Sequence, residues 1–266
     1  VQIMGKKQFE FMADNHIATA IETPMRDDAF NKSDDEKIHT IQHYFENIML
    51  ELGLDLTDDS LSGTPYRVAK MYVKELFYGL DPKNKPQLST FKNKYGYKKM
   101  LVEQNITIDS SCEHHFLPIT GYANIAYLPK DKVIGLSKIN RLVDYYSHRP
   151  QVQERISLQI LNDLQKTLET DDVIVMITAK HLCVSSRGLK DKTSYTTTIE
   201  YGGEFNDVDI VILNTTMPNI SSTNLSGFYD SGNADSGTFD VVFSKIGYIS
   251  DTLQVTLING QIAILD

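Results

Sequence analysis

The sequence predicts an α+β fold in which a sheet carries its helices on one face. Three observations lead to this class. Two amphipathic helical patterns come first, and a strand–strand–helix–helix–strand–strand order follows between residues 99 and 206. A tail, residues 207–266, then alternates short apolar runs with turn residues. Helices grouped between pairs of strands are typical of sheets whose helices lie on one side.

The N-terminal part is predicted to be a loose arm followed by two helices. Residues 1–33 are polar and acidic and contain helix breakers, so we expect a flexible arm. Ser33 with Glu36 forms a capping-box pattern, and apolar residues follow it at helical spacing. A second helix is predicted to begin at Thr64-Pro65, with the threonine as N-cap. We assign residues 34–98 to this helical part.

The middle of the chain is predicted to form the sheet and the helices that cover it. One helix is predicted from Ser137, taken as its N-cap, to a break at Pro150, and another from about Val152 to Leu168. Apolar or alternating segments bounded by turn residues predict the strands, at about 100–110, 119–127, 173–179 and 193–201.

The tail, residues 207–266, is predicted to be a small β-rich extension. Asn259-Gly260, between two apolar runs, is typical of a two-residue hairpin turn. Residues 237–248 faintly resemble a carboxypeptidase regulatory-like β-sandwich module. The apolar runs that predict strands are Ile210–Leu213, Phe239–Phe243, Leu253–Leu257 and Ile262–Leu265.

The composition argues against a membrane-spanning or nucleic-acid-binding chain. Hydrophobic residues make up 41% of the 266 residues, but no run of eighteen apolar residues occurs, as a transmembrane helix would need. The net charge of -9 disfavours nucleic acid as a partner. Only the middle, residues 61–206, has a basic excess, with 20 Lys and Arg against 15 Asp and Glu. That excess suits a small anionic substrate, although a solvated basic surface would give the same count.

Both cysteines of the chain lie beside histidines in two short segments. Cys112 precedes His114 and His115 in one segment, and His181 precedes Cys183 in the other. Thiolate and imidazole are ligands of zinc. The spacing from Cys112 to His115 allows a turn or strand end to bring both to one ion. His181 and Cys183 would share a face of a strand, so one of them can reach the same ion. Three protein ligands would leave a fourth position open for water, as in catalytic zinc sites.

The remaining histidines of the two segments would flank the ion as proton carriers. The alternative, buried free cysteines with surface histidines, fits less well because both cysteines have histidine neighbours. Cysteines held by a metal, and an N-terminus without a signal-peptide pattern, predict a reducing, cytoplasmic location. No cysteine accompanies the other histidines, so we interpret them as packed or surface side chains: His16, His39, His43 and His148.

Four motifs, in this order and spacing, closely resemble GTP cyclohydrolase I. The resemblance extends from about Ile38 to Phe205 and implies a tunnelling fold, in which the sheets of several subunits join into a closed barrel. It implies a homodecamer of two five-membered rings, with the enzyme domain at 34–206 and its sheet-bearing part at 99–206. The motifs are Cys112–Phe116, Val133–Arg141, Arg149–Arg155, and His181–Cys183 with Ser186–Gly188.

The resemblance also implies the reaction and the site. GTP and water would give formate and 7,8-dihydroneopterin triphosphate, the first step of folate or pterin biosynthesis. Zn²⁺ would be the cofactor, since the family's ligands match Cys112, His115 and Cys183. His114 and His181 would carry protons. The family's substrate-binding positions are matched by Ser137, Lys138, Arg141 and Arg187 for the triphosphate, and by Gln153 and Glu154 for guanine.

Residue chemistry agrees with these roles but leaves alternatives open. Lys138 and Arg141 are three residues apart on one helix face, and guanidinium matches phosphate geometry. Both could instead be ordinary solvated cations. A carboxylate can accept both donors on the guanine edge, yet Glu154 could simply pair with Arg155 or cap its helix. At the level of the whole protein, the alternatives are a non-catalytic pterin- or purine-binding relative and a structural zinc module.

Overall fold

The structure, a computed structural model, describes residues 20–203 and the backbone of four strands in the tail. Helices and antiparallel strands are mixed along the chain, which confirms the predicted α+β class. Most of the predicted arm, residues 1–19, lies outside the described residues.

Helix α1, Asp34–Glu51, begins with the predicted capping box. The Glu36 N–H donates to the Ser33 hydroxyl at 3.3 Å, and the Glu36 carboxylate accepts from the Ser33 N–H at 2.7 Å. An N-cap of this kind stabilises a helix by about 1 kcal/mol.

The second predicted helix is interrupted. A short helix that was not expected, α2, Asp59–Ser62, precedes it. The predicted helix itself forms as α3, Thr64–Met71, followed by a π-helical turn, Tyr72–Leu76, and 3₁₀ turns at Tyr78–Leu80 and Pro82–Asn84. Thr64 is not the N-cap, because Gly63 occupies that position and Thr64 is already helical.

Gly79 shows why the chain leaves the helix at this point. Its N–H donates to the His148 carbonyl at 3.0 Å, and its own carbonyl accepts from the Arg149 guanidinium at 2.7 Å. A Cβ at Gly79 would lie 2.1 Å from the Tyr145 carbonyl oxygen. This close backbone contact ties the N-terminal helices to the rest of the protein.

A five-stranded sheet occupies the middle of the chain, in the order β5-β2-β3-β6-β7. All neighbours are antiparallel except β2 and β5, which are parallel. A separate two-stranded pair joins β1 to β4. Short β1, β4 and β5 were not expected, since two or three residues are too few to show alternation. The strands are β1 Thr90–Lys92, β2 Leu101–Cys112, β3 Pro118–Tyr127, β4 Lys132–Ile134, β5 Pro150–Gln151, β6 Val173–His181 and β7 Thr196–Tyr201.

Helices α4, Leu136–Ser147, and α5, Gln153–Leu168, follow the predicted positions closely. The prediction that Ser137 caps α4 is wrong. Extended Gly135 is the cap, and its carbonyl accepts from the Lys138 N–H at 2.8 Å. Ser137 is therefore the second helical residue.

One face of the sheet forms the core with α4 and α5, as predicted. Ile108, Ile125 and Ile177 of the sheet and Leu142 and Ile160 of the helices are fully buried in this layer. No helix among the described residues is both long and apolar enough to cross a membrane.

The opposite face of the sheet keeps exposed apolar side chains. Val102, Tyr122 and Ile199 come from three different strands and are all exposed. The cross-strand partners of Ile199 and Tyr122 on β6, Met176 and Thr178, place these residues on the same face. The described residues therefore leave this apolar face without a covering layer.

The tail strands form their own antiparallel sheet, in the order β11-β10-β8-β9. Three of the predicted runs coincide with strands, whereas β9 was not expected. The predicted hairpin at Asn259-Gly260 and the run Ile262–Leu265 lie outside the described residues. The strands are β8 Asp209–Ile212, β9 Asn219–Ser222, β10 Gly237–Ser244 and β11 Asp251–Leu257.

Candidate functional site

The first half of the site is a tight turn at the end of β2. Cys112 is the last residue of the strand and is only 5% exposed. Its N–H donates to the Leu117 carbonyl, and its carbonyl accepts from the Phe116 N–H, both at 2.8 Å. Phe116 has a left-handed backbone, with φ of 53°. The turn closes on itself and holds the residues between Cys112 and Phe116 at the sheet edge.

The second half lies at the end of β6, the strand beyond β3. His181 ends this strand, and Cys183 lies in a short helical turn, α6, Leu182–Ser185. The expectation that His181 and Cys183 share a strand face is therefore wrong. The chain coils after His181, so the two side chains have different neighbours.

The two halves meet in one cluster. The ligand atoms of Cys112, His115 and Cys183 all lie within 4.8 Å of one another. Sγ of Cys112 and Nδ1 of His115 are 3.9 Å apart. In a tetrahedral site, sulfur and nitrogen ligands lie about 3.6 to 3.8 Å apart, so a small closure suffices to fit one ion. Where side chains are described, no other trio of Cys, His, Asp or Glu meets this criterion.

The two thiols of the cluster affect each other's ionisation, and an arginine lies beside them. Burial raises the pKa of the Cys183 thiol, and the neighbouring Cys112 sulfur raises it further. Two adjacent thiols resist ionising together, and a bound metal ion removes that penalty. Arg187 contributes a positive charge, with Nη1 2.7 Å from Nε2 of His115. Arg187 thus reaches the cluster from the second half of the site.

His114 lies beside the cluster in the same turn. Its Nδ1 is 3.7 Å from Sγ of Cys112, and its Nε2 is 3.9 Å from a carboxylate oxygen of Glu113. Its side chain is 43% exposed, so it contacts both the buried sulfur and solvent. This placement suits a group that exchanges protons at the cluster.

His181 is half-buried on the other side. Its Nε2 lies 2.9 Å from Oε1 of Gln153. Burial lowers the pKa of His181, while the nearby charge of Glu154 acts in the opposite direction. The ring is therefore held by Gln153 and lies within reach of the charge of Glu154.

The first turn of α5 brings Gln153 and Glu154 to the same end of the sheet. Glu154 is exposed, and its charge is felt by His181 and by Glu200 of β7, whose pKa is raised mainly by burial. The alternative that Glu154 pairs with Arg155 is not what the structure shows. Arg155 binds Glu113 instead, at 2.6 Å and 3.4 Å.

The ion pair between Arg155 and Glu113 was not predicted from the sequence. Arg155 is 3% exposed, and it also donates to the Gln151 side chain at 3.2 Å and to the Ala20 carbonyl at 2.8 Å. Two features of the sequence could have suggested this ion pair. Arg155 adjoins the apolar face of α5, and Glu113 lies between metal-ligand candidates. Hydrogen bonds of Arg155 thus connect the Cys112 turn to α5 and to the segment before α1.

The three residues of α4 that were predicted to bind the triphosphate lie away from the cluster: Ser137, Lys138 and Arg141. They occupy the first two turns of α4, which starts just after β4, near the Leu101 end of β2. The C-terminal end of α4 leads to β5, which pairs with Cys112. A twelve-residue helix is about 18 Å long, so half of α4 or more separates these residues from its C-terminal end and the cluster.

Comparison with known proteins gives a consistent result. A sequence model of the family described as GTP cyclohydrolase I matches residues 41–214. A protein of Flavobacterium johnsoniae named GTP cyclohydrolase 1 is 57% identical over 196 residues, covering 74% of this chain and 88% of the relative. Relatives of the same name from Vibrio parahaemolyticus and Tolumonas auensis are 52% and 51% identical, over 70% and 71% of this chain and 84% and 86% of their own lengths.

Proposed function

This chain belongs to the GTP cyclohydrolase I family, and we propose that the cluster of Cys112, His115 and Cys183 is the centre of its reaction with GTP. GTP and water are converted to formate and 7,8-dihydroneopterin triphosphate, the first step of folate or pterin biosynthesis. The observation that carries the assignment is the convergence of both cysteines and their neighbouring histidines on one metal-binding cluster.

Zn²⁺ is the metal we assign to the cluster. Two thiols and an imidazole are its preferred donors, and three protein ligands leave one position open. When bound, Zn²⁺ supplies a Lewis acid that lowers the pKa of water to about 7. Both cysteines are free thiols, which suits a reducing compartment such as the cytoplasm.

His114 and His181 are positioned to move the protons that the reaction requires. Two water molecules add at C8 of guanine in turn, the bonds from C8 to N9 and to N7 break, and C8 leaves as formate. The later ring closure onto the rearranged ribose releases one water, so one water is consumed overall. Each departing nitrogen must gain a proton, and a nearby imidazole is the usual donor near pH 7. His114 lies on the solvent side of the cluster and His181 on the buried side.

The guanine and phosphate ends of GTP need separate partners. The exposed carboxylate of Glu154 can accept from both N1–H and the exocyclic amine of guanine. Gln153 lies beside it, and its role is taken up below. Arg187 provides a cation at the cluster for the triphosphate.

Ser137, Lys138 and Arg141 are proposed to come from a neighbouring copy of the chain, because α4 places them far from this protomer's own cluster. The sheet supports such an assembly. β5 pairs with only Ser111 and Cys112, which leaves most of the outer edge of β2 unpaired among the described strands. Joining copies edge to edge into the closed barrel of a tunnelling fold, as in a decamer, would pair such edges and enclose the open apolar face.

The test is a product assay on purified, zinc-loaded protein incubated with GTP. Formate and a fluorescent oxidised pterin are both expected, and the Cys112→Ser variant should produce neither. Wild-type protein that binds GTP without making either product would overturn the assignment and favour a non-catalytic relative.

A further inference from the structure

Gln153 has an unusual position for a residue expected to contact substrate. It is the first residue of α5, next to exposed Glu154, yet its side chain is only 1% exposed. Its amide nitrogen donates to the carbonyls of Ile177 and Thr196, both at 2.9 Å, with the Thr198 hydroxyl at 3.3 Å. Both amide hydrogens are thus engaged with strands β6 and β7.

These bonds determine which way the amide points. A flipped amide would turn its oxygen toward two carbonyl oxygens, which cannot donate. The observed orientation therefore directs Oε1 of Gln153 at Nε2 of His181, 2.9 Å away.

The orientation has a consequence for the histidine. Oε1 of Gln153 can only accept a hydrogen bond, so Nε2 of His181 must carry the hydrogen. In the neutral ring this leaves Nδ1 as the nitrogen with the free lone pair. The bond also fixes the ring plane at the end of β6, two residues before Cys183.

We propose that Gln153 is a positioning residue that acts through His181, holding the ring in one tautomer with Nδ1 open to the reacting atoms, and that it does not contact guanine. This inference rests on the proposed function and on its assignment of His181 as a proton carrier. A carboxylate or amide that fixes the tautomer of an active-site histidine has a large effect on turnover in other enzymes.

Contact with guanine would require Gln153 to abandon its present partners. The carbonyls of Ile177 and Thr196 would lose a donor, and each unpaired buried group costs about 1–3 kcal/mol. Glu154 is already exposed at the same helix end and needs no rearrangement. Guanine recognition is therefore left to Glu154.

The chain offers a matched control for the test. Ser157 lies one turn further along α5, is fully buried, and its hydroxyl is 2.6 Å from that of Thr198. It ties α5 to β7, as Gln153 does, but makes no bond to His181. The Ser157 hydroxyl also donates to the Gln153 carbonyl at 3.2 Å. Ser157→Ala therefore reports the cost of losing these two contacts while the Gln153 side chain and its bond to His181 are kept.

The first experiment compares Gln153→Met with Ser157→Ala in zinc-loaded enzyme. Gln153→Met keeps the side-chain length and is expected to lower kcat about 10- to 100-fold, with zinc content unchanged and KM for GTP within about twofold. Ser157→Ala should stay close to wild-type kcat. A raised KM for GTP, with KM for inosine triphosphate unchanged and kcat retained, would show that Gln153 reads the guanine amine and would overturn the proposal.

The second experiment is a double-mutant cycle with His181→Ala, measured at single turnover with enzyme in excess. If Gln153 acts through His181, Gln153→Met should cause no further loss in the His181→Ala background. Multiplied losses would show a separate structural role and contradict the proposal.

Gln153→Glu covers the case in which the methionine variant does not assemble. In its protonated form the buried glutamic acid keeps one oxygen facing His181 and one O–H donor for the carbonyls of Ile177 and Thr196, so kcat should remain within about tenfold of wild type. A larger loss of kcat in assembled, zinc-loaded protein contradicts the proposal. If wild-type protein makes neither product, the proposed function fails and the inference with it; if wild type turns over and Gln153→Met is equally fast, only the inference fails.

Discussion

At the scale of single residues, neighbouring side chains in one turn have different surroundings. The structure groups His115 with Cys112 and Cys183, whereas His114 lies between a sulfur atom and the Glu113 carboxylate. One position of difference along the turn decides whether an imidazole can join the metal ligands or remain beside them.

Substitution of the adjacent histidines should separate binding of the metal from turnover. His115→Ala is expected to lose most bound zinc and all activity, because only two protein ligands remain. His114→Ala should keep zinc and lose about 100-fold or more in kcat. Metal analysis and the formate assay check both. Zinc loss in His114→Ala with full zinc in His115→Ala would reverse the assignment.

Glu154 is the residue that we propose recognises guanine. Glu154→Gln replaces an acceptor by a donor against the guanine edge, so we expect kcat/KM for GTP to fall about 10- to 100-fold while zinc content stays constant. Competition by ATP should become relatively stronger. An unchanged preference for GTP over ATP would remove Glu154 from the guanine site.

At the scale of elements, the end of α4 shows how a helix terminus is stabilised without a role in chemistry. Nδ1 of His148 lies 2.7 Å from the Asp144 carbonyl and 3.2 Å from its carboxylate, and its ring packs on Tyr78. These contacts, led by the hydrogen bond with Asp144, raise the pKa of His148, and the charge of Asp109 adds to the effect. His148 is thus a packed structural histidine, as the sequence predicted.

The His148 contact predicts a pH dependence of stability. Because its pKa is raised in the folded state, the stabilisation is complete below the unfolded value near 6.5 and is lost as pH rises through the folded pKa. Asp144 is about half exposed, so solvent screening keeps the contribution near 0.5 kcal/mol. Unfolding of wild type and His148→Gln, at equal zinc content, should differ more at pH 6 than at pH 8.5. An equal difference at both values would contradict this account.

At the scale of the whole molecule, the cluster lies toward the C-terminal end of α4, whereas the residues proposed to bind phosphate lie in its first two turns. One face of the sheet is buried by helices, and the other exposes apolar side chains. In the proposed assembly, such a protomer would contribute to two sites, and neighbouring copies would complete each of them.

Mixed oligomers can test this arrangement. Cys112→Ser and Arg141→Ala proteins should each be inactive alone. Co-expressed, they should recover about a quarter of wild-type activity, since a shared site is intact when both contributing protomers supply the right residue. No recovery in verified mixed oligomers would place both residues in the same protomer's site.

The tail offers a second test at this scale. Its four strands pair only with one another among the described residues. A protein ending after Phe205 is therefore expected to remain oligomeric and active, as measured by light scattering with size-exclusion chromatography and by the product assay. Loss of both assembly and turnover would show that the tail is part of the working fold.

The sequence alone determined the features that depend on neighbouring residues. The capping box at Ser33, the order of the main strands and helices, and the segments around Cys112 and Cys183 all follow from local pattern and residue chemistry. These signals are readable because hydrogen-bonding and apolar periodicity act over a few positions of the chain.

Only the tertiary structure decided which distant groups meet. It pairs Arg155 with Glu113 and buries Gln153 against His181, although these residues are far apart in the chain. It also places Lys138 away from the cluster, although both were predicted to belong to one site. A buried polar group takes whichever partner the packed elements bring to it, and the cost of leaving it unpaired selects that partner only once the fold exists.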